Sequence, residues 1–207
     1  MTWASLKLWA EDEEERILKC IVEALRRLIT SRCISTNDGE LAISGKLRPY
    51  LYRVKKDMKL VWTLHPEASS FLEEDTPKPI GHPDFRFSHN TPTYEQYDYD
   101  IECKLVRVKR EGKSRDYCEY YVTHGIQRFQ SRIYAQSSPP MGTMIGYIQE
   151  GDILFLLDSV NNQAKSQRLN KIGLKGAIEN VGVTYLKQPL HRDQDNFVLS
   201  HLWVDLR

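Results

Sequence analysis

The sequence predicts an α/β fold, in which a mixed β-sheet is flanked by helices and preceded by an N-terminal helical segment. Three observations predict it: an amphipathic helical pattern near the N-terminus, strand-like alternation in the middle, and further strand-like segments at the end. Because helical and strand-like segments alternate along the chain, we expect them to share one core. The length fits a single domain over 1–207, with a mainly helical lead-in at 1–62 and the core at 80–207.

The first predicted helix spans residues 10–30. Its apolar residues recur at helical spacing: Ile17, Leu18, Ile21, Leu25 and Leu28. Acidic residues at 11–15 lie in its first turns, where the helix dipole favours negative charge. The TNDG sequence at 36–39 predicts a turn, and residues 40–61 predict a second helical stretch interrupted by Gly45 and Pro49.

The middle of the chain predicts a loop, two strands and a helix. Residues 63–83 are rich in proline and predict a loop. A short strand is predicted at 84–87, a connection at 88–93, and the clearest strand at 97–108, where polar and apolar residues alternate. Residues 110–116 predict a charged turn. Residues 118–135 predict a helix that tolerates Gly125, with an apolar face made by Tyr121, Ile126, Phe129 and Ile133.

The last part of the chain completes the predicted sheet. Residues 141–149 fit either a strand or a buried helix, and residues 152–163 favour a helix. Strand patterns follow at 182–190 and 196–206.

Composition excludes several classes of protein. A hydrophobic fraction of 41% and a charged fraction of 28% are typical of a folded domain, not of a disordered chain. None of the four cysteines is spaced as CxxC, which argues against structural zinc. No signal-peptide pattern or bilayer-length apolar run occurs, so we expect a cytoplasmic protein that does not enter a membrane. A net charge of +1 decides nothing about nucleic acid, because the location of the charge matters more.

One group of residues carries recognisable chemistry. Asp84 opens the first predicted strand, and Glu102 and Lys104 project from the same face of the next one. If the two strands pair as a hairpin, both carboxylates and the ammonium converge. Asp98 and Asp100 share the face of Glu102, so either remains an alternative to Asp84.

Such a group suits a hard divalent cation, Mg²⁺ or Mn²⁺, because these ions prefer oxygen ligands. Asp84, Glu102 and the backbone carbonyl of Cys103 would supply these ligands. The Cys103 thiol points to the opposite face of the strand, so we expect it in the core. A bound metal polarises a phosphoryl oxygen and lowers the pKa of a coordinated water. Lys104 would orient or deprotonate that water, or stabilise the developing charge.

Pro83-Asp84, a hairpin-length gap, and Glu102-Cys103-Lys104 in an apolar strand followed by a helix resemble the PD-(D/E)xK nuclease superfamily. The resemblance covers about 84–129 and otherwise only the order of elements. It implies a restriction-endonuclease-like core and a metal-dependent endonuclease. It further implies DNA as substrate, with RNA left open, and a role in restriction or phage defence.

The same resemblance implies three further site residues. In some members a glutamine on the helix after the ExK strand lies beside the lysine, which here implies Gln127, with Arg128 as a phosphate contact. Other members draw a metal-binding glutamate from the first helix. Glu14 is the choice here because it shares a helix face with Ile17 and Ile21, and the weaker candidates are Glu13, Glu15 and Glu23.

Two basic runs, at 104–115 and 165–175, could contact nucleic acid. Alone, each would be a solvated surface, but beside an acidic metal site they would offset repulsion of the phosphate backbone without reading sequence. With Arg128, the expected contacts are Arg107, Lys109, Arg110, Lys113, Lys165, Arg168 and Lys171.

No reader domain is visible, so we expect a partner subunit or a homodimer to choose the target. Two alternatives stay open. One is an inactive module of the same fold that binds nucleic acid or a protein, and the other is a structural subunit with an accidental ExK.

Overall fold

The computed structural model describes residues 3–67, 81–90, 96–178, 182–192 and 195–207. In chain order its elements are α1 (Trp3–Thr30), α2 (Glu40–Asp57), β1 (Thr63–Pro66), β2 (Phe85–Asn90), β3 (Gln96–Arg110), β4 (Lys113–Asp116), α3 (Cys118–Tyr121), a π-helical turn (Val122–Ile126), α4 (Gln127–Gln130), β5 (Met141–Ile148), α5 (Ile153–Ser166), β6 (Gly173–Ile178), β7 (Val183–His191) and β8 (Asn196–Asp205). We call α3, the π-helical turn and α4 together the 118–130 helix.

The described strands form one eight-stranded mixed sheet, in the order β1-β2-β3-β5-β8-β7-β6, and β4 pairs with the end of β3. The three central strands, β3, β5 and β8, run parallel. All other pairs are antiparallel. The predicted mixed sheet flanked by helices is therefore confirmed.

Each face of the sheet is covered by different helices. On one face α1 and α2 pack against alternate residues of β3, among them Tyr99, Ile101 and Cys103. On the other face the 118–130 helix and α5 pack against Val106 and Met144. This division follows from the two-residue period of a strand, which sends successive side chains to opposite faces.

The second helix continues through Pro49, where the sequence predicted an interruption. Ile43, Leu47, Leu51 and Val54 are fully buried along one side of α2. Proline inside a helix costs about 3 kcal/mol, whereas burying one large aliphatic side chain contributes roughly 1.5–3 kcal/mol. The buried side of α2 outweighs the lost backbone hydrogen bond.

Most predicted elements are confirmed, including both N-terminal helices, the β2–β3 hairpin, α5, and strands at 182–190 and 196–206. Residues 141–149, which fitted either a strand or a buried helix, form the strand β5. Short strands were missed: β1 and β6, and β4 inside the predicted charged turn. Every residue of β4 is exposed, so it has no apolar alternation that could reveal it. The predicted 118–135 helix ends at Gln130, and Ser88, His89 and Asn90 extend β2 into the predicted connection. Residues 68–80 and 91–93 of the predicted loops lie outside the described residues.

All four cysteines are free thiols. None of the helices that the structure describes combines the length and the apolar character needed to cross a bilayer.

Candidate functional site

The edge of β3 is open for a short stretch in the middle of the sheet. β2 pairs with β3 only as far as Ile101, and β4 begins its pairing at Arg107. Residues 102–106 therefore have a strand neighbour, β5, on one side only. We call this stretch the β3 gap.

Two carboxylates from distant parts of the chain close the gap. The backbone N–H of Cys103 donates to Asp84 Oδ2 at 2.7 Å, and that of Leu105 donates to Glu40 Oε2 at 3.1 Å. Asp84 is held there because it directly precedes β2, and Glu40 because it is the first residue of α2. The acidic side chains take the place of the missing strand as hydrogen-bond partners.

The carbonyl of Cys103 faces the same gap, because the N–H and C=O of one strand residue point to the same edge. It accepts a hydrogen bond from Lys104 Nζ at 2.9 Å. The Cys103 thiol is fully buried in the core formed with α1 and α2, as predicted. The gap thus brings together a backbone carbonyl and two carboxylates, as oxygen donors.

Glu102 is 1% exposed and only partly satisfied. Its Oε1 lies 2.7 Å from Lys104 Nζ and 3.5 Å from Arg128 Nη1. Its Oε2 is buried and has no hydrogen-bond partner in the part of the chain that the structure describes. Burial raises the pKa of Glu102 to about 7, and the nearby charge of Asp84 adds to this although Lys104 opposes it.

Lys104 joins the acidic groups of the gap. Its ammonium lies 2.7 Å from Glu102 Oε1 and 3.0 Å from Glu40 Oε1, in addition to the Cys103 carbonyl. Burial alone would lower the pKa of this lysine, but the charges of Glu102, Glu40 and Asp84 raise it above its usual value. Lys104 is therefore a permanently charged cation. Burial likewise raises the pKa of Asp84, and Lys104 partly counters that shift.

The 118–130 helix lies directly over Lys104. A Cβ atom on Gly125 would stand 2.3 Å from Met144 Cε and 3.6 Å from Lys104 Cγ, so glycine permits this close approach. From the same helix Arg128 reaches Glu102 and donates to the hydroxyl of Tyr134. The site thus contains a second cation, and contact between Arg128 and a phosphate stays a prediction.

Gln127 does not contact the motif, contrary to the prediction for this helix. Its amide donates to Gln167 Oε1 at 2.9 Å, and the residue that contacts the motif is its neighbour Arg128. The π-helical turn at 122–126 inserts one extra residue into the helix, which shifts the facing position by one residue. Phe129 is fully buried, as predicted, and Ile133 packs against the same core.

Glu14 does not lie at the gap, contrary to the prediction of a metal-binding glutamate from the first helix. Ser200 Oγ donates to Glu14 Oε1 at 3.4 Å. Ser200 pairs with Thr143, which pairs with Ile101, so Glu14 packs on the sheet face opposite the side chain of Glu102. The helical segment supplies Glu40 to the gap instead.

The weaker glutamate candidates also have other partners. Glu13 accepts from Trp62 Nε1, Glu15 pairs with Lys19, and Glu23 pairs with Arg26 and Arg27. One feature of the sequence could have indicated Glu40: it is an acidic residue directly after a predicted turn, at the start of a helix. Its partner Lys104 is too far along the chain for any spacing rule to connect them.

The alternative carboxylates on β3 are held by Arg86. Asp100 accepts from Arg86 Nε at 2.6 Å and from Ala135 N at 2.8 Å, and Asp98 accepts from Ser88 Oγ at 2.6 Å. Asp84 contacts the β3 gap, whereas Asp98 and Asp100 do not.

Both basic runs flank the gap. Near its β4 side, Lys109 and Lys113 are exposed, Arg107 lies 5.5 Å from the Phe155 ring centre, and an Arg110 nitrogen is near Gly39. On the other side, Gln127 links the helix to Gln167, whose surroundings carry the exposed residues Lys165, Arg168 and Lys171.

The donor set limits the kind of metal site that could form. Within the described ranges, no three histidine, cysteine, aspartate or glutamate side chains are grouped to hold an ion. The ligands of an ion at the gap would therefore be the carboxylates of Asp84 and Glu102, the Cys103 carbonyl and water. This donor set suits Mg²⁺ or Mn²⁺ and does not suit zinc. Oε2 of Glu102 fits such an ion, because it is a buried carboxylate oxygen without a hydrogen-bond partner among the described residues.

No protein-family model, curated protein or solved structure matches the chain.

Proposed function

We propose that this chain is a divalent-metal-dependent nuclease that hydrolyses phosphodiester bonds of DNA. Asp84, Glu102 and the Cys103 carbonyl would bind Mg²⁺ or Mn²⁺, and Lys104 would act as the catalytic cation. The observation that carries the proposal is Glu102 Oε2, a buried carboxylate oxygen that has no partner among the described residues and lies beside a second carboxylate. Such a group is costly unless a cation binds it.

The order of elements supports the proposal. A helical segment precedes a hairpin, the ExK strand follows Asp84, and the 118–130 helix then leads into the parallel strand β5. This order agrees with a restriction-endonuclease-like core. A role in restriction or phage defence, a cytoplasmic location, and a partner subunit or homodimer rest on the resemblance and on general expectation.

Each residue has a defined task in this proposal. When bound, the metal would polarise the phosphoryl group and lower the pKa of a water. Lys104 would orient that water or stabilise the charge developing on the phosphate. Arg128 is 33% exposed on its side chain, so it can reach a phosphate while still bordering Glu102. The flanking basic runs would bind the backbone on either side.

Glu40 is a further residue of this proposed site, and it was not predicted from the sequence. It holds both Lys104 Nζ and the backbone N–H of Leu105. We propose that it positions the lysine at the gap, because its two oxygens tie the side chain to the strand that carries the motif.

One observation favours a second candidate, an inactive module of the same architecture that binds nucleic acid. Lys104 occupies two of the donors that a metal would need, Glu102 Oε1 and the Cys103 carbonyl. In an inactive module the ammonium would keep this place permanently, and divalent ions would change neither stability nor activity.

The test is cleavage of plasmid DNA, single-stranded DNA and RNA by the purified chain, with Mg²⁺, with Mn²⁺ and with EDTA. We expect metal-dependent cleavage of DNA that Lys104→Ala reduces by about 10²–10⁴-fold, without an equal loss of DNA affinity. High Mn²⁺ should partly restore Asp84→Ala and should not restore Lys104→Ala. Lys19→Ala, which removes an exposed lysine of α1 outside both basic runs, is the matched control.

Circular dichroism checks that each variant is folded. The proposal is wrong if the wild type cleaves nothing in any metal, or if Lys104→Ala cleaves as fast as the wild type.

A further inference from the structure

An exposed aromatic pair lies beside the gap on the 118–130 helix. The ring of Tyr120 stacks on the ring of His124, with centroids 4.3 Å apart and planes 25° apart. Tyr120 is 44% exposed, whereas its neighbour Tyr121 is fully buried. The Tyr120 ring centre is also 5.8 Å from Lys104 Nζ, so the exposed residues Tyr120 and His124 lie next to the proposed catalytic cation.

The surroundings of the pair combine positive charge with neutral polar groups. Arg128, one turn after His124, borders Glu102. A cleft of about 390 Å³ continues along the same helix, and its lining includes the uncharged polar residues Thr123, Gln127, Gln130 and Gln167. Cations for a phosphate therefore lie next to an aromatic face and to amides that can bind the edge of a base.

We propose that Tyr120 and His124 form a stacking platform for an unpaired base of a DNA strand whose phosphate lies at Lys104 and Arg128. The proposal rests on the proposed nuclease function and narrows its substrate to single-stranded DNA or DNA with unpaired nucleotides. In a duplex both faces of each base are covered by neighbouring base pairs, so only an unpaired base can stack on a tyrosine ring. One nucleotide is long enough to reach from Lys104 to this ring.

Two other roles for Tyr120 give different results in a binding experiment. If the ring only orients Lys104 through a cation–π contact, its removal lowers cleavage and leaves affinity for DNA unchanged. If the ring is a plain surface residue, its removal changes neither quantity. Stacking instead predicts a loss of affinity that is specific for unpaired DNA.

The experiment measures fluorescence anisotropy of a labelled oligothymidylate and of a labelled duplex of the same length, in EDTA so that nothing is cleaved. Base stacking on an aromatic ring contributes about 1–3 kcal/mol. We therefore expect Tyr120→Ala to weaken oligothymidylate binding by about 5–150-fold and duplex binding by less than about twofold. Tyr120→Phe should bind like the wild type, because it keeps the ring.

Tyr52→Ala is the matched control, because Tyr52 is 40% exposed on α2 and has the Arg48 guanidinium 5.9 Å from its ring centre. It should bind both probes like the wild type. The platform is refuted if the wild type does not bind oligothymidylate, if Tyr120→Ala binds it normally, or if both probes weaken equally. Because no metal is present, a platform without cleavage would refute only the nuclease, and cleavage without a platform would refute only this inference.

Discussion

Two acidic clusters lie on the same face of β3 and are built differently. In the first, Asp98 and Asp100 surround the guanidinium of Arg86, which donates to both oxygens of Asp100. In the second, at the β3 gap, Glu102 shares the ammonium of Lys104 with Glu40. Asp100 has both oxygens satisfied, whereas Glu102 has one oxygen without a partner among the described residues.

The difference teaches which property separates a structural carboxylate from a candidate ligand. Burial raises the pKa of both Asp100 and Glu102, so the direction of the shift does not distinguish them. The hydrogen bonds of the two carboxylates do distinguish them. The planar guanidinium of Arg86 binds a carboxylate with two parallel bonds, whereas the Lys104 ammonium is a single point of charge divided among several oxygens. The second cluster therefore retains capacity for another cation.

The largest effect on stability should come from breaking the first cluster. Asp100→Ala leaves the largely buried Arg86 without its main partner, and we expect the free energy of unfolding to fall by about 3–5 kcal/mol. Asp98→Ala is the control, because its side chain is 20% exposed and lies 3.5 Å from Arg86, so it should cost about 1 kcal/mol or less. Urea unfolding measures both. Equal losses would mean that the Arg86 cluster is not organised around Asp100.

The next largest effect concerns the pH dependence of stability without metal. The pKa of Glu102 is about 7 in the folded chain and 4.5 as its ordinary value, so the folded state prefers the protonated form. This contribution is fully present below pH 4.5 and is lost as pH rises through 7, with a total of roughly 3 kcal/mol at most. In EDTA, Glu102→Gln should therefore lose less stability than the wild type between pH 5 and pH 8.

Urea unfolding at several pH values, compared between the two proteins, gives this difference directly. Superimposable pH profiles would contradict the description of Glu102 as a buried carboxylate with a raised pKa.

A smaller effect should separate the two helical glutamates. Glu40→Gln weakens the hold on Lys104, and we expect cleavage to fall by about tenfold, as for loss of one charged hydrogen bond. Its cost in stability should be about 1 kcal/mol or less, because its side chain is 27% exposed. Glu14→Gln, on the opposite face of the sheet, should cleave like the wild type. If the two variants exchange these results, the assignment of Glu40 is wrong.

The sequence was informative wherever a local pattern decides the structure. Alternation in 97–108 predicted β3, and the hairpin spacing predicted that Asp84 would reach the part of β3 that carries Glu102 and Lys104, where it accepts from the Cys103 N–H. The same logic placed the Cys103 thiol in the core. These features depend on strand period and on neighbouring segments, which a single sequence displays directly.

The remaining features depend on contacts between distant segments. Glu40 reaches Lys104 only because β2 ends at Ile101 and leaves the edge of β3 open, which no pattern in 40–61 reveals. The displacement of Gln127 by Arg128 depends on a π-helical turn, whose composition does not differ from that of an α-helix. Likewise, Arg86 neutralises Asp100 across the hairpin, and only the register identifies it.

The most direct test of the account is the position of Mn²⁺ in crystals of the chain, located by its anomalous scattering. The account predicts one ion at the β3 gap, about 2.2 Å from oxygens of Asp84, Glu102 and the Cys103 carbonyl, with Lys104 displaced from that carbonyl. No ion should bind at Asp98 and Asp100, whose oxygens Arg86 and its neighbours already occupy. An ion at Asp98 and Asp100, or no ion at the gap in saturating Mn²⁺, would contradict the account.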